Sequence, residues 1–167
     1  PSEVPAALDE CPADALKAHP FALLVLMRSM FNWRNIPKML ELKALLLAAL
    51  EEHPELPAEE RGNLLGECDL IMSFLCYNDI SAMSRLHRSA SAQMSRPAIS
   101  IRSSGGWTFG SPSVLMMFYR APGELAGELA EMAECMPHYY KITNGHGQGA
   151  ETIMRAEASS AEHTSEL

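Results

Sequence analysis

Pro37-Lys-Met-Leu-Glu-Leu-Lys-Ala-Leu-Leu-Leu-Ala-Ala-Leu-Glu-Glu-His53 decides the fold. Met39, Leu42, Leu45, Leu46, Ala49 and Leu50 recur three and four residues apart, while Glu41, Lys43, Glu51 and Glu52 take the other side. That spacing is the helical period and places the apolar side chains on one stripe. Pro37 suits a first helical turn, and Pro54 and Pro57 end this helix and open the next.

Working outward, Pro20 to Phe31 is dense enough in apolar residues to be a helix buried on most of its surface, with a turn over 32–36. A third helix is expected from Pro57 to Cys76. Its first turn is acidic (Glu59, Glu60), and Leu64, Leu65, Cys68, Ile71, Met72 and Leu75 form its stripe. Asn78 reads as the N-cap of a fourth, 79–94, with Ile80, Met83, Leu86, His87 and Ala90 inward.

From Ser95 to Ser111 the pattern breaks into a long loop rich in glycine and serine that holds Trp107 and Phe109; loops of such length are often functional. A fifth helix starts near Pro112, capped by Ser111, and carries Val114, Leu115, Phe118 and Tyr119. A sixth spans 124–140 with Leu125, Leu129, Met132, Ala133 and Met136 inward, kinked or shortened by Pro137. Asn144-Gly-His-Gly-Gln-Gly149 is a turn, and a last helix runs to Ala158.

No strand-type alternation persists for more than about four residues, so the class is all-α. Helix starts near 37, 57 and 79 give a helix pair about every 40 residues, within the range of tetratricopeptide-like solenoids. The expected architecture is antiparallel helical hairpins stacked as a tetratricopeptide-like repeat superhelix, with a closed bundle as the alternative. Residues 1–158 form one helical-repeat domain, and 159–167 a frayed acidic tail.

The 167 residues carry a net charge of −8, unevenly spread: −7 over 1–79, +5 over 80–123, and −6 over 124–167. The basic island holds Arg85, Arg88, Arg96, Arg102 and Arg120 and no acid. It either meets an anionic ligand or partner, or neutralises the acidic helices beside it. A pI near 5.2 argues against DNA binding by this piece alone. No uninterrupted apolar run, Phe21 to Met27 included, is long enough for a membrane span, and no signal peptide opens the chain, so a cytoplasmic location is expected. A start at Pro1 suggests a fragment of a larger regulator. Cys11, Cys68, Cys76 and Cys135 lack CxxC spacing and read as reduced, mostly buried thiols.

The ordered runs Arg61-Gly-Asn-Leu-Leu-Gly-Glu, Ser73-Phe-Leu-Cys-Tyr-Asn-Asp-Ile, Met83-Ser-Arg-Leu-His-Arg, Trp107-Thr-Phe-Gly-Ser-Pro-Ser-Val-Leu and Gly145-His-Gly-Gln-Gly-Ala-Glu resemble the helical-repeat region of MalT-like regulators of the LuxR type, over about residues 20–158. The resemblance implies the middle piece of such a regulator. That piece receives an inducer or a regulatory protein, controls self-association, and touches DNA only through a separate domain. Neither a GxxxxGK[ST] loop nor a helix-turn-helix is found in this sequence.

Candidate ligand-binding residues follow from chemistry rather than from the resemblance. Arg102, Trp107, Phe109, Tyr119 and Arg120 form either an aromatic and cationic platform for a small ligand or the loop's anchor to the core. His146 stands in a glycine turn before a helix, which either binds an anion through free amides or lets two helices approach closely. Glu151 reaches the turn amides or an arginine of the island; the other seven acids after Gly123 are assigned to solvated positions.

The six histidines show no metal-ligand spacing, and no GxSxG elbow or Cys/His signature supplies a nucleophile. No catalytic residue, metal or cofactor is expected. The function expected is an effector-sensing or signal-relay domain of a transcription regulator; the alternative is a protein–protein interaction scaffold without a small-molecule ligand.

Overall fold

The structure, a computed structural model, describes residues 3–76, 78–104, 113–119 and 121–165, with backbone alone for 161–165. Among them every regular element is a helix: α1 (Glu3–Glu10), α2 (Ala13–Lys17), α3 (Pro20–Asn32), α4 (Ile36–Glu52), α5 (Ala58–Ser73), α6 (Ile80–Gln93), α7 (Val114–Phe118), α8 (Leu125–Thr143) and α9 (Ala150–Ser165). The chain is all-α. Neighbours pack most extensively as α3 on α4, α5 on α6 and α6 on α8, with α3 joining α5 and α9 lying on α7 and α8.

The α3–α4 turn shows how local chemistry sets a hairpin. The Asn35 amide donates to Met30 O at 2.8 Å and the Arg34 amide to Phe31 O at 2.9 Å, which closes α3 through a left-handed residue. That residue is Arg34, at φ +58°, where glycine or asparagine is usual. Asn35 then caps α4 by accepting from the Lys38 amide.

Two apolar clusters make the interior. One holds Leu23, Leu24, Met27 and Met30 of α3, Met39, Leu42, Leu46 and Leu50 of α4, and Leu64, Cys68 and Ile71 of α5. The other gathers Leu70, Ile80, Met83, Ala90, Phe118, Met132, Cys135, Met136, Tyr139, Ile142 and Met154, with others. Between them α5 and α6 meet at backbone distance: a Cβ at Gly62 would lie 2.7 Å from Gln93 O, and one at Gly66 3.0 Å from Ala90 O. Glycine is required there because any side chain would push the helices apart.

Beside this seam, α5 clamps the loop that leaves α6. Asn63 accepts from the Ser95 amide at 2.9 Å and donates to Ser95 Oγ at 3.0 Å. Fully buried Glu67 accepts from the Ser100 amide at 2.7 Å and faces Arg96 at 3.6 Å, and Arg96 in turn lies over the Phe21 ring.

Several sequence expectations shift. The cap of α6 is Asp79, which accepts from the Ala82 amide at 2.8 Å. Asn78 instead takes a left-handed turn at φ +59°, a region an asparagine tolerates. The expected cap Ser111 and Pro112 lie outside the described residues; the cap observed is Ser113, which accepts from the Met116 amide. Helix α8 runs through Pro137 to Thr143, since the exposed proline leaves its orphaned carbonyl near solvent. The last helix, expected to end at Ala158, is assigned over Ala150–Ser165, with Ala150, Met154 and Ala158 buried. Helices α1 and α2 precede the first helix expected.

Candidate functional site

The glycine turn before α9 is built around two tyrosines of α8. Asn144, Gly145, Gly147 and Gly149 all take positive φ, so the chain reverses tightly and brings α9 onto α8. The Tyr140 hydroxyl accepts from the Gly149 and Ala150 amides at 3.0 and 3.2 Å and donates to the Glu151 carboxylate. Amides that a bound anion would use are therefore taken by a hydroxyl of the chain itself, and Glu151 closes the same contact. Burial and the Glu151 bond raise the Tyr140 pKa and keep the hydroxyl protonated.

His146 is 3 % exposed, and its Nδ1 lies 2.7 Å from the Tyr139 hydroxyl. It belongs to a polar thread through the second cluster. The Tyr139 ring lies 4.9 Å from that of His87, whose Nε2 is 3.1 Å from Ser73 Oγ. Ser73 donates its proton to Leu70 O at 2.6 Å, which makes His87 Nε2 the donor to Ser73 and leaves Nδ1 an acceptor. No side-chain or backbone partner reaches Nδ1 among the described residues. Burial first, and the neighbouring His138 second, push the His87 pKa down to about 3, so the ring is neutral at physiological pH.

Trp107, Phe109 and Arg120 lie outside the described residues. Arg102 is exposed just beyond buried Ile101, and Tyr119 is 41 % exposed where α7 ends; among the described residues no contact joins either to His146 or Glu151. Of the acids after Gly123, two depart from the solvated position assigned to them. Glu128 is 8 % exposed, and Glu157 accepts from the Leu115 amide at 2.8 Å and so fastens α7 to α9. Cys68 and Cys135 are buried free thiols, with pKa pushed up by burial to about 11 and about 12. Cys11 and Cys76 are half-buried.

Two features outside those residues stand out. A cavity of about 590 Å³ opens at the α3–α4 turn, lined by Phe31, Asn32, Arg34, Ile36 and Leu75. On the same hairpin, Phe21, Val25, Trp33, Leu40 and Leu47 are each 38–46 % exposed, half of the ten exposed large apolar side chains among the described residues. Sequence periodicity located the inward stripe of α4 but not its apolar outer side; the signal was present in the near-absence of charge at 40, 44, 47 and 48.

Among the described residues no group of three or more His, Cys, Asp or Glu side chains could hold a metal ion, and no helix is long and apolar enough to cross a membrane. In comparisons with known proteins, no family model matches the chain, and no curated protein or solved structure matches it significantly.

Proposed function

We propose that this chain is a non-catalytic helical-repeat module, arranged as tetratricopeptide-like hairpins, that relays an effector signal by docking a helix of a second copy of the chain. The observation that carries it is the exposure of large apolar side chains on the α3–α4 hairpin, where Val25, Leu40 and Leu47 are 38–46 % exposed. Exposed apolar surface gathered on one hairpin is costly in an isolated protein and marks interaction sites. The assignment to a MalT-like regulator of the LuxR type rests on the ordered runs quoted above. Four of those runs fall on joints between helices: the Gly62 and Gly66 seam, Ser73 and the Asp79 cap, His87, and the glycine turn. Their place at joints fits a part that transmits rather than one that reacts.

Sedimentation equilibrium of the whole chain tests this reading beside the Leu40→Glu, Leu47→Glu double variant. Concentration-dependent association lost in the double variant, with the melting curve unchanged, is the expected result. A chain that stays monomeric, or a variant that associates as before, ends the docking reading. A thermal-shift screen of metabolites separates the two forms of the proposal: the relay expects a stabilising effector, and the pure scaffold expects none.

A further inference from the structure

The cavity at the α3–α4 turn opens to solvent and joins apolar walls to two exposed polar side chains. Phe31, Ile36 and Leu75 give it apolar walls, and Arg34 and Asn32 supply its polar groups. Its volume of about 590 Å³ falls in the range of small-molecule sites.

Both polar groups present donors. Asn32 Oδ1 accepts from the Arg28 guanidinium, and the Asn32 amide has two N–H groups to offer. Arg34 has only donors to give, and no carboxylate pairs with it among the described residues. Arg28 lies 4.5 Å from the Phe74 ring centroid and 5.3 Å from that of Phe31, which places a second cation behind the aromatic wall.

The surrounding sequence keeps acids away. Residues 15–40 hold Lys17, Arg28, Arg34 and Lys38 and no Asp or Glu, within a half of the chain that is otherwise strongly acidic. The acids that bound this stretch are engaged elsewhere: Asp14 pairs with Lys17, and Glu41 with Lys38.

Arg34 takes φ +58° at the closing position of α3, where glycine or asparagine is usual, so the turn sets a cation beside the cavity.

From these observations we infer that the cavity binds the carboxylate of an apolar acid, with the acid group on Arg34 and the Asn32 amide and an aryl or medium-length alkyl body against Phe31, Ile36 and Leu75. A cationic ligand would face Arg34 unfavourably. A highly charged phosphate would leave the apolar walls unused and strip water from its own oxygens. Because the cavity joins the α3–α4 turn to the end of α5, an acid bound there ties the first hairpin to the rest of the stack.

Isothermal titration of the whole chain with 4-phenylbutyrate and octanoate, against neutral 4-phenylbutanamide, tests the site. Saturable binding of the acids is expected, weakened about tenfold in Arg34→Asn, in line with loss of one charge-assisted contact at a solvent-facing group. Arg34→Asn keeps a residue that tolerates the left-handed turn, so its melting curve stays at or above that of the parent; Arg34→Gly repeats the measurement with no side chain. The amide should bind the parent no more tightly than the acid binds Arg34→Asn. Equal affinity for acid and amide, equal affinity of parent and Arg34→Asn, or no saturation by either acid at millimolar concentration overturns the inference. A chain that binds these acids yet never associates keeps this site and loses the docking reading, whereas association through Leu40 and Leu47 with indifference to acids does the reverse.

Discussion

The two ends of the stack are held together by different chemistry. The first hairpin with the front of α5 has an interior of leucine, methionine and isoleucine with one thiol, and it leaves a second apolar face in solvent. The second cluster threads Ser73, His87, Tyr139 and His146 through its apolar residues and finishes its turn with a tyrosine hydroxyl. A purely apolar interior gains from area alone and tolerates rearrangement of shape, whereas directional bonds such as Tyr139 to His146 and His87 to Ser73 fix the side chains that make them. The first end is suited to meeting partners; the second is suited to holding one geometry.

That contrast predicts a different failure for each end. The largest effect belongs to the apolar end: Leu24→Ala, at a fully buried site, is expected to destabilise by about 3–4 kcal/mol in urea unfolding, equally at pH 7 and pH 5. A loss under about 1 kcal/mol would show that this core collapses around the hole.

Next in size is a pH effect confined to the other end. His87 is held neutral in the fold with its pKa pushed down to about 3, while the unfolded chain titrates near 6.5. Its contribution is complete above about pH 6.5 and is lost as pH falls toward about 3, because only the unfolded state takes up the proton. Between pH 7 and pH 5 that amounts to about 2 kcal/mol. Urea titrations at the two pH values measure it, and His87→Phe should remove most of the difference. An unchanged difference in that variant would assign the pH dependence to other groups.

The smallest of the three concerns the turn. Gly147→Val places a β-branched residue at φ +67° and should cost about 1–2 kcal/mol, read as a lower melting temperature. No change would mean that the turn relaxes to a negative φ without disturbing Tyr140.

The same contrast explains what the amino-acid sequence reveals by itself. Leu42, Leu46 and Ala49 announce their helix because partners three and four residues away share a face, and all three are buried as that spacing requires. Glu67 and Asn63 look like solvated residues of an ordinary helix, since their partners Ser100 and Ser95 lie more than thirty residues on. Asn78 and Asp79 are both good caps, and only the backbone angle at Asn78 separates them. His146 and Glu151 were found as turn residues, yet the tyrosines that engage them come from the opposite helix. Arg34 carries no motif at all; its interest comes from a dihedral angle and a cavity, neither of which has a one-dimensional signature.

The glycine seam between α5 and α6 has a mechanical consequence. With Gln93 O seated at Gly62 and Ala90 O close to Gly66, a slide of α5 along α6 would carry each oxygen off its glycine toward side chains three residues along the same face, such as Leu65. The notch acts as a detent against longitudinal slip and holds the register between the two helices.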